Sequence, residues 1–127
     1  MKYCTTSILI AILFLASSVH AGAPTCSANS NGYCVYTGKI SRIYVNSDNI
    51  ILLYFDTPVA LDVPTVAGLT ITTGSAAAFH MDKNQEFAKA FYSTALAAQA
   101  SGRKVTIQMR NVQSGYLEFD RIWLSAP

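Results

Sequence analysis

The segment DKNQEFAKAFYSTALAAQASG, Asp82–Gly102, carries the chain's one sustained helical period. Phe87, Phe91, Ala95 and Ala98 recur at steps of four and three, which puts them on one apolar stripe. Ala88, Tyr92 and Leu96 widen that stripe along one flank, and Ala90, Ala95, Ala97, Ala98 and Ala100 raise the intrinsic helix propensity. Asp82 or Asn84 can cap the first turn with a side-chain oxygen, and Gly102 suits the left-handed residue that ends a helix. A stripe with two phenylalanines must be buried against something. Extended, strand-like sequence on both sides of the helix supplies that partner.

Upstream, Tyr33–Val45 (YCVYTGKISRIYV) is rich in Tyr, Val and Ile and reads as a long strand interrupted at Gly38. Asn46–Asn49 is a turn by residue type, and Ile50–Phe55 returns as a second strand, apolar on both faces. Asp56–Pro64 holds two prolines and is a loop or an edge. Leu69–Thr73 is the expected third strand, followed by a small-residue turn at Gly74–Ala78. Beyond the helix, Val105, Ile107 and Met109 alternate with Thr106, Gln108 and Arg110, the pattern of a half-buried strand. Tyr116–Leu124 is the last strand, and a phase slip between Phe119 and Ile122 predicts a bulge. The order is β-β-β-α-β-β. That order predicts a mainly β domain with one helix, a five-stranded OB-fold-like small barrel. The alternative is an α+β arrangement, one helix packed on an open antiparallel sheet.

Met1–Ala21 reads as a secretory signal peptide: Lys2 near the start, an apolar run at Ile8–Ala16, and small residues Val19 and Ala21 before the cut. Its apolar run is too short for a permanent membrane span, so the expectation is a single exported domain over residues 22–127, secreted or periplasmic. Of nine cationic residues one leaves with the leader, leaving a net charge of +1 against seven acidic residues. So near-neutral a chain argues against a nucleic-acid surface. Cys4 also leaves. Cys26 and Cys34 then read as a short-loop disulfide in an oxidising compartment, with free thiols or an intermolecular bridge as the alternatives.

The residues offer little for catalysis. His80 is the one histidine after the leader, no serine sits in a G-x-S-x-G turn, and Asp56 with Asp62 or Glu118 with Asp120 look like solvated carboxylates. No cofactor motif and no metal-ligand spacing occurs. A non-catalytic binding module is therefore expected. Tyr33, Tyr36, Tyr44, Tyr54, Tyr92, Tyr116 and Trp123 are aromatics with polar tips, the kind that stack on sugars while their tips hydrogen-bond. The usual OB-fold binding face singles out Tyr44 and Tyr54.

A resemblance adds to this reading. The exported domain with a Cys near the first strand, Thr37-Gly38 and the junction FYSTALAAQASGRKVTI (Phe91, Tyr92, Ser93, Gly102, Val105, Ile107) resembles the B subunits of subtilase-cytotoxin and pertussis-like toxins. That likeness implies an OB-fold that forms homo-oligomeric rings and binds cell-surface glycans. It also implies a ligand contact at Thr37, beside Tyr36, where those subunits carry a serine. This chain departs from the pattern by having threonine there and no cysteine after Cys34. The competing expectation is an exported structural or interaction protein, an accessory subunit or inhibitor, which binds a protein partner and no small molecule.

Overall fold

The structure, a computed structural model, describes residues 22–125. The leader read over Met1–Ala21 lies outside the described residues. Seven strands form one sheet: β1 Thr25–Ser27, β2 Tyr33–Gly38, β3 Arg42–Val45, β4 Ile50–Tyr54, β5 Ala76–His80, β6 Val105–Gln113 and β7 Tyr116–Leu124. Among the described residues a single α-helix, α1, spans Gln85–Ser101 between β5 and β6. The spatial order is β1-β2-β6-β7-β5-β4-β3, antiparallel except for the β5–β7 pair.

The helix obeys its sequence. Asn84, not Asp82, is the cap: its side chain accepts from the Phe87 amide at 3.0 Å. Gly102 sits at φ 67° and its N–H reaches back to the Ala98 and Gln99 carbonyls. Ala88, Phe91, Ala95 and Ala98 are buried, and Phe87 packs on the same core. Four phenylalanines meet there. Phe91 stacks on Phe119 with centroids 3.6 Å apart, and Phe79 and Phe87 close around them. Replacing Asn84 by alanine removes the cap's acceptor and should cost about 1 kcal/mol, read as a shift in urea midpoint with unchanged slope.

The sheet is curled but open. β2 and β3 stand five positions apart in the strand order, roughly 24 Å if the sheet were flat. The Lys39–Ser41 link between them spans at most about 14 Å. The two ends must therefore approach. Contacts across the gap show that they do: the Tyr36 and Phe55 rings lie 4.9 Å apart, and the Asp56 amide donates to the Tyr36 hydroxyl at 3.2 Å. Yet no ladder joins β3 to β2.

The expected five-stranded barrel is therefore corrected to a seven-stranded open sheet in a small α+β fold. Two local causes are visible. The first strand stops at Gly38, because Ile40 turns into the core and the Lys39 carbonyl accepts from the Tyr36 hydroxyl at 2.8 Å. The outer edge of β2 is taken by β1, where Cys26 lies directly opposite Cys34 and is joined to it by a disulfide. The third strand also moves. It is the alanine run Ala76–His80 rather than Leu69–Thr73, which is irregular even though Ile71 is buried. Alanine is a poor strand former in isolation, but here Ala76, Ala77 and Ala78 are fully buried in a strand held between β4 and β7, and packing overrides propensity.

Candidate functional site

Residues paired across a ladder share a face, so the register assigns each side chain. In β2, β6 and β7 one face carries Tyr36, Ile107 and Ile122 toward the core. The other face carries Thr37, Thr106 and Trp123 side by side on three consecutive strands. Their hydroxyls are linked. Thr37 Oγ1 lies 2.9 Å from Thr106 Oγ1, which lies 3.1 Å from Ser125 Oγ. Ser125 is held in turn: its amide donates to the Lys104 carbonyl, and its carbonyl accepts from Arg103 Nη2 at 2.9 Å. Trp123, the only tryptophan in the sequence, is 45% exposed at the end of this row. Three neighbouring strands at about 4.8 Å each set Thr37 and Trp123 roughly 10 Å apart along the sheet.

Gln108 and Arg121 form the next rung of the same face. Lys39 follows Thr37 by two residues, Lys104 precedes Thr106 by two, and Arg121 precedes Trp123 by two. The row is thus a half-exposed aromatic ring and the exposed Thr37 hydroxyl, joined through the buried Thr106 hydroxyl to Ser125, with Arg121 on the adjacent rung. Such a surface can stack an apolar face of a ligand and hydrogen-bond its edge at the same time.

The residues expected from sequence are distributed unevenly. Thr37 is exposed and belongs to this row. Tyr36, next to it, faces the opposite way and is 1% exposed. Its hydroxyl donates to Lys39 and accepts from the Asp56 amide, and burial pushes its pKa up to about 12. Such a ring packs the core. Tyr44 and Tyr54 share an outward face of the β3–β4 hairpin, four or more strand positions from Thr37. Tyr54 is covered by the Arg42 guanidinium, 3.9 Å above its ring, while Tyr44 is 45% exposed. The structure therefore joins Tyr44 with Tyr54 on one hairpin face, and no ladder joins that hairpin to the strand of Thr37.

A concavity lies where the edge strand β3 meets the first turns of α1. This cleft of about 380 Å³ has Val45, Ile51, Met81, Ala88 and Tyr92 as its apolar lining and Asn49, Asp82, Gln85 and Lys89 among its polar residues. The described residues contain no group of three or more His, Cys, Asp or Glu placed to hold a metal ion. None of their helices is long and apolar enough to cross a membrane.

Of the row's members, Trp123 was named in the sequence only within the general set of aromatics, and Thr106 and Ser125 were missed; a signal existed for the first two. Thr106 alternates with buried Val105 and Ile107, and Trp123 lies between Ile122 and Leu124, so both had to face outward from a covered sheet. Ser125 follows the last strand and gave no such hint. No protein-family model, curated protein or solved structure matches the chain.

Proposed function

We propose that this chain is an exported, non-catalytic binding module that recognises a glycan through the outward face of β2, β6 and β7. The observation that carries the reading is the half-exposed Trp123 aligned with the Thr37–Thr106–Ser125 hydroxyl chain. A pyranose offers an apolar face for the indole and a ring of hydroxyls for the threonine row. The Cys26–Cys34 disulfide fits an oxidising compartment, where such ligands occur. The likeness to toxin B subunits points to the same place, since it implies a hydroxyl contact at Thr37. Arg121 on the adjacent rung favours a ligand bearing negative charge and gives binding a salt dependence.

The test is a glycan array followed by titration of the retained glycans against two variants. Trp123→Ala should weaken binding by roughly thirtyfold or more, the loss typical of a central tryptophan anchor. Thr37→Val should weaken it up to about tenfold, the loss of one hydrogen bond to the ligand. Both positions are on the outer face, so thermal midpoints should stay close to the parent's. A chain that retains no glycan, or whose glycans bind both variants as tightly as the parent, contradicts the reading.

A further inference from the structure

The β6–β7 hairpin is interrupted twice, and the two interruptions carry opposite charges. Its ladder pairs Gln108 with Arg121, Met109 with Phe119 and Asn111 with Glu118, so Arg110 on β6 and Asp120 on β7 are the residues left out. A bulged residue is re-aimed relative to its neighbours. Here the two re-aimed side chains meet, with Arg110 Nε 3.5 Å from Asp120 Oδ2. Arg121 Nε reaches the same oxygen at 3.7 Å. The other oxygen, Oδ1, is buried with no hydrogen-bond partner.

Arg110 is a hub. Its Nη1 donates to the Ser30 carbonyl at 2.6 Å, in the 3-10 turn Asn29–Asn31 that the disulfide encloses. Its guanidinium also lies over the Tyr33 ring at 5.3 Å. With its amide oxygen turned inward, Gln108 accepts from Arg110 Nε and Nη2 at 2.6 and 2.7 Å. One carboxylate thus bears on the hairpin, on the disulfide loop and on Arg121 of the outward face.

We propose that Asp120 is an acid-operated latch: ionised, it draws Arg110 and Arg121 together across the paired bulges, and protonated, it gives up both ion pairs, leaving Arg110 to its Gln108 and Ser30 contacts. Loss of those pairs shifts Arg110 against the Asn29–Asn31 turn it bonds and frees Arg121 on the face that carries Trp123. Nothing in the latch requires a particular ligand, so it does not depend on the glycan reading. The charged groups bearing on Asp120 are Arg110 from β6 and Arg121 and Glu118 from β7. Glu118 is itself held by Lys83 at 2.6 Å.

Burial of the carboxyl raises its pKa above the ordinary 3.8, and this outweighs the opposing pull of Arg121 and Arg110. The sign follows. A folded state that holds the proton more tightly than the unfolded chain gains stability from this group in acid and loses it as pH rises through the folded pKa. Opening the latch therefore does not favour unfolding.

The test is nuclear magnetic resonance of the full domain from about pH 7 to about pH 3, spanning the carboxylate range. The Asp120 side-chain carbon should titrate with a midpoint above 3.8. The Arg110 and Arg121 Nε–Hε signals and the Ser30 amide should follow the same midpoint. In Asp120→Asn those three signals should sit near the parent's acid limits and no longer share a titration. The proposal is overturned if Asp120 titrates while both arginines and Ser30 stay still, or if their shared step persists in Asp120→Asn. Should that variant fail to fold, the comparison of Asp120 with its two arginines in the parent still decides the matter.

Discussion

Phe91→Ala is expected to lower stability by about 3–5 kcal/mol, a large share of what a domain of this size possesses. The Phe91 ring is fully buried and stacks on Phe119. Phe87, Phe79 and Phe119 form a continuous aromatic layer between α1 and the sheet. Truncation leaves a ring-sized void that alanines 88, 95 and 98 on the same helix face are too small to fill. Chemical denaturation checks it. Phe91→Leu should recover more than half of the loss, because a leucine refills most of the volume. A loss below about 1 kcal/mol would mean that the helix does not seat on the sheet as described.

Gly32→Ala is the second large effect, and its cause is different. Gly32 has φ 79°, a conformation that strains any residue with a Cβ. An added Cβ would also stand 2.2 Å from the Ala67 carbonyl oxygen, which belongs to the 3-10 segment Val63–Ala67. Backbone strain of about 1–2 kcal/mol and overpacking of about 1–3 kcal/mol should together cost roughly 2–5 kcal/mol. Gly68 is the milder comparison. At φ 74° and ψ 18° it lies in the ordinary left-handed region, and nothing lies within 4 Å of an added Cβ, so Gly68→Ala should show left-handed strain alone, whereas Gly32 at ψ 131° lies outside that region. Thermal unfolding of the two variants side by side gives the comparison. Equal losses would show that Gly32 is not pressed against Ala67.

Much of this architecture was legible because it is written in short-range pattern. The helix shows its period, its Asn84 cap and its Gly102 terminator within one segment of chain. The Arg42–Tyr54 hairpin and the bulged last strand were likewise carried by local alternation. What escaped depends on partners distant in sequence. Closure of the barrel turned on whether the chain could stay extended past Gly38, and the inward turn of Ile40 settles that only once Phe55 and Tyr36 are in place. The alanine strand is chosen by its neighbours β4 and β7, not by its own propensity. The added strand β1 needs the disulfide to hold three residues against β2.

The candidate site divides along the same line. Thr37 was reached through a resemblance, and Tyr36, its neighbour by one residue, had to face the other way once the strand was real. Trp123 and Thr106 follow from alternation plus register, and register across β2, β6 and β7 is a property of the assembled sheet. The Arg110–Asp120 pair is less legible still, because it exists only where two bulges coincide.

Trp123 supplies its own reporter, being the only tryptophan in the chain. Titration of a retained glycan while tryptophan fluorescence is recorded tests the recognition face most directly. The account predicts a saturable change in intensity or a blue shift, as the half-exposed indole is covered by the sugar. Saturable binding measured by calorimetry on the same sample, with the tryptophan emission unchanged throughout, would place recognition elsewhere and contradict it.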